Sequence, residues 1–327
     1  MGNRFKFLEL IHDAKPNIKQ QGGKGKNLVI LANNGINVPL GIIVKTNVFR
    51  EVLHDLNLEQ RVLQFLSSNP SPQKAILLAN ELNSQITVKN IPKKVSSEII
   101  RGISLLKKYL GPEVSFAVRS SALVEDQVQF SFAGQAESYC CLVSNEEIID
   151  AIKKCWGSLF TPQALLYLIK MTKGIKKLPK FEMAVIIQHM IISNQAGVLF
   201  TVNVINNNLT QMLINSNWGL CESVTNNSAI PDMIILDKDE FRIQKMVVGN
   251  KKTRCIKQPN GSFTTTIKND PELRNSSSLD KFQLQRLYHL GKKIERIFDS
   301  PQDIEWAIKN DTIYVLQSRP ITTLNSY

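Results

Sequence analysis

Between Asp303 and Pro320 the sequence DIEWAIKNDTIYVLQSRP carries two carboxylates, an amide and a guanidinium at alternate positions. Carboxylate and amide oxygens are ligands that Mg²⁺ takes, and a guanidinium fork matches phosphate oxygens. Ile304, Trp306 and Ile308 alternate with Asp303, Glu305 and Ala307, the period of a half-buried strand. Asn310 and Asp311 are turn formers, after which Tyr314, Leu316 and Ser318 alternate with Val315, Gln317 and Arg319. A hairpin with a three-residue loop, Asn310 to Thr312, sets Glu305 opposite Gln317 and Asp303 opposite Arg319 on one face. A two-residue loop puts Gln317 on the other face and breaks the set. A solvated edge hairpin with a surface ion pair accounts for the same residues.

Further groups of this chemistry lie upstream. Gln21-Gly22-Gly23-Lys24-Gly25-Lys26-Asn27 reads as a glycine-rich loop leading into a helix with Leu28, Leu31 and Ala32, which stops at Asn34-Gly35. Its glycines let backbone N–H groups approach a phosphate, and Lys24 adds a point charge. It is not a Walker loop, and a flexible turn before a helix is the alternative. Phe116-Ala117-Val118-Arg119 is a short apolar strand ending in Arg119-Ser120-Ser121. Its charge is placed either to meet a ligand or to pair with Glu125 or Asp126. A second glycine loop, Ser131 to Gln135, contains Gly134. Phe181 to Ile192 is an apolar strand turned back by Asn194-Gln195 into Gly197 to Val202. Gln188 to Ile191 suits a crossing between two lobes, where backbone groups can pair with an adenine edge. His189 reads as structural. Asn217 to Glu222 is a glycine turn with one carboxylate.

The elements that must position these groups are legible in outline. Residues 57 to 112 read mainly as helices, Glu146 to Leu159 as a helix with Trp156 on its core face, and Leu279 to Phe298 as an amphipathic helix leading into the hairpin. Pro259 to Ser278 is polar and reads as an exposed loop. A chain of 327 residues is long enough for two lobes. Hydrophobic content of 43% against 21% charged places it among globular proteins. The net charge of +12 suits polyanionic ligands or is simply solvated, since the basic residues are scattered in short pairs such as Lys107-Lys108 and Lys251-Lys252. Neither aromatic–basic interleaving nor a helix-turn-helix pattern occurs, which points away from nucleic acid. Five cysteines without CxxC spacing and only four histidines argue against structural zinc and for reduced thiols in the cytoplasm. Met1 to Lys19 is not expected to be a signal peptide, and no apolar run approaches the roughly 20 residues of a membrane span.

Taken in order, the motifs resemble one family: Gly22-Gly23-Lys24-Gly25, Val118-Arg119-Ser120-Ser121-Ala122 with Glu125-Asp126, Ser131-Phe132-Ala133-Gly134-Gln135, Gly197-Val198-Leu199-Phe200-Thr201, Trp218-Gly219-Leu220 with Glu222 and Pro231-Asp232, Gln302-Asp303-Ile304-Glu305-Trp306, and Leu316-Gln317-Ser318-Arg319-Pro320. This is the ATP-grasp nucleotide-binding domain of phosphoenolpyruvate synthase, pyruvate phosphate dikinase and rifampin phosphotransferase, and the resemblance covers roughly residues 15 to 323. It implies a two-lobed α/β (α+β) ATP-grasp fold with a nucleotide cleft between the lobes. Residues 1–187 would form the lobe with the glycine-rich loop and a helical insert, and 188–327 the lobe with the metal-binding hairpin.

The resemblance also implies roles. Lys24 and Arg119 contact the phosphates of ATP, and Arg319 steadies the phosphate chain; these three form the catalytic set. Glu305 and Gln317 hold Mg²⁺, with Asp303 as polar support. Gly22, Gly23 and Gly134 border the nucleotide, and the backbone of Gln188, Met190 and Ile191 receives adenine. ATP would pass a pyrophosphoryl group to a histidine on a swivelling carrier domain, leaving AMP. None of His12, His54, His189 and His289 sits in a carrier-histidine motif, so the carrier is expected on another polypeptide or another part of the protein. The chain departs from the family pattern at Asn203-Val204, where the family commonly has Asp-Pro, at Cys221, where it has Gly, and at Asn227, where Gly is usual. A non-catalytic ATP-sensing module that docks a partner is the alternative.

Overall fold

The computed structural model describes residues 5–68, 70–123, 138–163, 165–166, 182–259 and 261–322. The chain divides into two compact units. One comprises Met1–Lys26 with Leu40–His189, and the other Asn27–Pro39 with Met190–Tyr327.

The first unit is built on an antiparallel sheet of β1 (Leu8–Leu10), β2 (Gly41–Val44), β3 (Phe116–Ala122), β4 (Ser138–Leu142) and β5 (Met183–His189), in the order β1-β2-β5-β3-β4. Alternation divides each strand between two faces. On one face Ile42, Val44, Phe116, Val118, Val185 and Ile187 join a continuous apolar core. That core is completed by α2 (Thr46–Asp55), α3 (Leu58–Ser67), α4 (Pro72–Val88), α5 (Lys93–Leu110) and α6 (Asn145–Gly157). Phe49 of α2 stacks on Trp156 of α6 at 5.6 Å between ring centroids, so the tryptophan is core. A capping box starts α6: Ser144 Oγ accepts from Glu147 N, and Glu147 Oε2 accepts from Ser144 N.

The other unit carries a six-stranded antiparallel sheet. Its strands are β6 (Gln195–Phe200), β7 (Gln211–Trp218), β8 (Asp232–Asp237), β9 (Ile243–Val247), β12 (Gln302–Lys309) and β13 (Thr312–Pro320), ordered β13-β12-β6-β7-β8-β9. A separate hairpin pairs β10 (Thr253–Lys257) with β11 (Thr264–Lys268). β11 lies within the stretch expected as a loop. Its Thr264-Thr265-Thr266 run is polar, but threonine is β-branched and suits a strand. The helix α7 (Lys281–Phe298) opens with an Asp280–Gln283 capping box and ends at Asp299 in the left-handed region. It lies close against the sheet at Gly291, where a Cβ would come within 2.9 Å of Leu199.

The hairpin β12–β13 pairs Glu305 with Gln317 and Asp303 with Arg319, by a different route from the one expected. The loop holds two residues, not three: Lys309 pairs with Thr312, and Asn310 and Asp311 both take positive φ, as a type I′ turn requires. That loop alone would set Gln317 on the wrong face. The register shifts between Glu305 and Trp306: Trp306 pairs with Val315, Glu305 with Gln317, and Leu316 is the extra residue. The bulge restores the face that the loop length would have lost. Among the described residues no helix is long and apolar enough to cross a membrane.

Candidate functional site

In the first unit the sheet face away from the core carries several of the polar groups singled out from the sequence. Cross-strand partners share a face. Gly41 pairs with Gln188, Ile43 with Ile186, Arg119 with Ile186, and Ser121 with Ala184. Arg119, Ser121, Gln188, Ile43 and Gly41 therefore look the same way.

Helix α1 (Ile18–Asn33) meets this face through its glycines. The stretch expected as an open loop is instead a helix broken at one point, Gly22, with φ 68° and ψ −179°. A Cβ on Gly22 would stand 1.9 Å from Ser121 O. Ser121 Oγ accepts from Gly25 N at 2.9 Å and donates to Gln21 O at 2.7 Å, bridging the break. Lys24 Nζ donates to Ser120 O at 3.4 Å, next to Arg119 in sequence. The break turns the following N–H groups of Gly23 and Lys24 into the start of a helix, where anions are favoured. Nothing local to Ser120 and Ser121 in the sequence announces this bridging role. Two serines ending an apolar strand, in a chain with a distant glycine cluster, are the signal available.

Gln188 is 2% exposed, and its Nε2 has no hydrogen-bond partner among the described residues. A buried amide donor without a partner costs about 1–3 kcal/mol. A nucleobase acceptor reaching this face would relieve that cost. Gly134 lies outside the described residues, as do Glu125 and Asp126.

In the second unit, Asp303, Glu305 and Ala307 of β12 share a face with Gln317 and Arg319 of β13 and with Val198 and Ala196 of β6. Arg319 Nε donates to Asp303 Oδ2 at 2.8 Å, and its terminal nitrogen lies 2.8 Å from the same oxygen. Glu305 is half-buried, and Gln317 is 6% exposed. The two side-chain oxygens fit a hard cation that keeps most of its ligands from phosphate and water. Among the described residues no cluster of three or more His, Cys, Asp or Glu side chains forms a metal site, so any ion held here depends on its ligand. Farther along this face Ile191, Ala196 and Ala307 form an apolar patch, with Cys221, Tyr314 and Leu316 packed against it. Met190 is half-buried just before it.

Burial holds the Asp303 carboxyl above the usual carboxylate range. The negative charge of Glu305 adds to this, and Arg319 opposes it through its charge and hydrogen bonds. A raised carboxyl binds its proton more tightly in the folded state. Its contribution to stability is therefore complete below about pH 4, the ordinary aspartate value, and is lost as pH rises through the raised value. Asp303→Asn should flatten that part of the stability profile, so the variant gains relative to wild type as pH rises. Urea unfolding across the acid-to-neutral range checks this, and parallel profiles would contradict it.

Local geometry accommodates the departures from the family pattern. Asn203 Oδ1 accepts from Ile205 N at 3.1 Å, closing the turn as an aspartate would. Asn227 takes φ 55°, and Asn is the residue after Gly that best tolerates this region. Cys221 sits at φ −59°, where glycine is not needed, and its Sγ donates to Gly197 O at 3.4 Å. The neighbouring Glu222 accepts from Thr264 Oγ1 at 2.8 Å and from Cys255 Sγ at 3.4 Å.

Residues 18–327 match the family described as the pyruvate phosphate dikinase AMP/ATP-binding domain. The chain is 34% identical over 312 residues to a probable phosphoenolpyruvate synthase of Archaeoglobus fulgidus, covering 95% of this chain and 41% of that protein. It is 32% identical to the phosphoenolpyruvate synthase of Pyrococcus furiosus, covering 98% of this chain and 44% of that one. It is 34% identical to a rifampicin phosphotransferase of Bacillus cereus, covering 93% of this chain and 34% of that protein. The chain thus spans less than half the length of these relatives.

Proposed function

The chain belongs to the pyruvate phosphate dikinase AMP/ATP-binding domain family, and from that premise we propose that it is the ATP-cleaving part of a dikinase-type phosphotransferase with an ATP-grasp fold. The unit of Met1–Lys26 with Leu40–His189 and the unit of Asn27–Pro39 with Met190–Tyr327 act as its two lobes, and ATP is the substrate. The observation that carries the reading is the agreement between family membership and two sets of groups: Arg119 and Gln188 on one sheet face with Lys24 of α1 hydrogen-bonded to the neighbouring Ser120 carbonyl in one unit, and Glu305, Gln317 and Arg319 on one face in the other.

Each set has a job its chemistry supports. Lys24 and the helix start after Gly22 draw negative charge to the phosphates, joined by Arg119. The Gln188 amide offers the buried donor that an adenine acceptor completes, beside the backbone of Met190 and Ile191. Arg319, held by Asp303, presents its guanidinium to the phosphate chain. Glu305 and Gln317 would hold Mg²⁺, which when bound neutralises charge building on phosphate oxygens. The acceptor is a histidine on a swivelling carrier domain or a separate protein. It attacks the phosphoryl centre, takes the pyrophosphoryl group and releases AMP.

The test supplies radiolabelled ATP, Mg²⁺ and a histidine-bearing carrier domain of this family in trans. AMP should form only when chain and carrier are both present, and Lys24→Ala should slow its formation at least about tenfold, the effect of losing roughly 1.4 kcal/mol of transition-state stabilisation. ATP binding without AMP, even with carrier added, would replace this reading with that of a nucleotide sensor.

A further inference from the structure

Gln317 and Arg319 lie on the edge strand β13, just beyond a bulge. A bulge interrupts the ladder locally, and the residues after it sit one step from an alternative register. What holds them is visible in the groups that turn away from β12. Before the bulge, Ile313 O accepts from Asn37 Nδ2 at 2.9 Å, and Val315 N donates to Asn37 O at 2.9 Å. In unbroken alternation the next outward backbone group would belong to Gln317. The extra residue, Leu316, moves it to Ser318, whose carbonyl accepts from Asn27 Nδ2 at 2.9 Å.

Ser318 is gripped from its side chain as well. Its Oγ donates to Gln302 Oε1 at 2.8 Å, and Ser318 is 1% exposed. Gln302 is fully buried and is itself fixed: its Nε2 donates to Ser300 Oγ at 3.0 Å, and its backbone N to Thr201 Oγ1 at 2.9 Å. Asn27 is 4% exposed, so its amide is no casual surface contact.

We infer that Asn27 and Gln302 are positioning residues that clamp Ser318 from two sides, fixing the backbone between Gln317 and Arg319 so that both side chains meet one ligand. Neither touches that ligand. The clamp is a local device of the bulged end of the hairpin, distinct from general protection of the edge, which Asn37 provides upstream. Its functional weight rests on the ATP reading above, whereas its mechanical claim does not.

Two measurements separate these. Without any ligand, amide hydrogen exchange in Asn27→Asp, which keeps the shape but loses the donor, should quicken about fivefold at Gln317 and Arg319, as expected for one hydrogen bond of ordinary strength. Exchange at Ile308 and Ile313 should stay unchanged, and Asn37→Ala should show the reverse pattern. With ATP, Asn27→Asp should weaken binding about fivefold in the presence of Mg²⁺ and less in EDTA, where only the Arg319 contact is affected. Gln302→Leu tests the same clamp from the other side and should act in the same direction. Exchange that quickens uniformly along β13, or a loss of affinity no larger with Mg²⁺ than in EDTA, would overturn the inference. If wild type fails to bind ATP at all, the proposed function falls while the exchange pattern still decides the clamp.

Discussion

Lys251→Met should destabilise the protein by about 3–5 kcal/mol, the range found when one partner of a buried ion pair is removed. Lys251 and Asp232 are both fully buried, and Lys251 Nζ donates to Asp232 Oδ1. The carboxylate collects further donors: Gly249 N at 2.9 Å on the same oxygen, and Ser278 N at 2.7 Å and Ser278 Oγ at 2.6 Å on the other. Asp232 thus ties the start of β8 to the turn before β10 and to the chain entering α7. Without the lysine a buried charge loses its counter-ion while its hydrogen bonds persist. Replacing both partners, as Asp232→Leu with Lys251→Met, also removes the anchor for Ser278, so only part of the loss should return. Urea denaturation measures each variant. A loss under about 1 kcal/mol for Lys251→Met, the size of a surface pair, would contradict the account.

Gly22→Ala should be nearly as damaging and more local. Its φ and ψ fall in a region that only glycine populates freely, where strain costs about 1–3 kcal/mol. The added Cβ would also collide with Ser121 O, a backbone atom of a central strand that cannot swing aside. The expected cost is about 3 kcal/mol or more, taking strain and overpacking together. The break would shift, taking the Ser121 bridge and the Lys24 position with it, and ATP affinity should fall at least about tenfold. Gly35→Ala is the control. Gly35 also has positive φ, 67°, but among the described residues a Cβ there meets nothing within 4 Å. It should cost about 1–2 kcal/mol of backbone strain and leave ATP affinity alone. Equal effects of the two substitutions on affinity would show that the close approach at Gly22 does not matter.

These two sites mark what the sequence discloses and what it hides. The Glu305–Gln317 pairing was readable from alternation and turn residues, yet the loop length behind it was not. Asn310-Asp311 suits either turn, and nothing in the residues around Leu316 announces a bulge, because Val315, Leu316 and Gln317 fit a straight strand equally well. Lys251 reads as half of a scattered basic pair. Its burial follows from a carboxylate nineteen residues away in sequence and from a serine on a third segment, so no local pattern reveals it. The glycine cluster was visible as a phosphate-approach motif, but its conformation depends on Ser121, and the two are about a hundred residues apart. Local propensity locates the long amphipathic helices. Contacts between distant segments decide which polar groups are buried, and those decide the site.

The proposed function requires that Lys24 and Glu305 of the same chain both act on bound ATP, Glu305 through Mg²⁺. The most direct test is calorimetric titration of wild type with ATP, with and without Mg²⁺, alongside Lys24→Ala and Glu305→Ala. Wild type should bind ATP and gain affinity from Mg²⁺; Lys24→Ala should weaken binding under both conditions, and Glu305→Ala should erase only the Mg²⁺-dependent gain. No binding at millimolar ATP, or a Glu305→Ala variant that keeps the full Mg²⁺ effect, would contradict it.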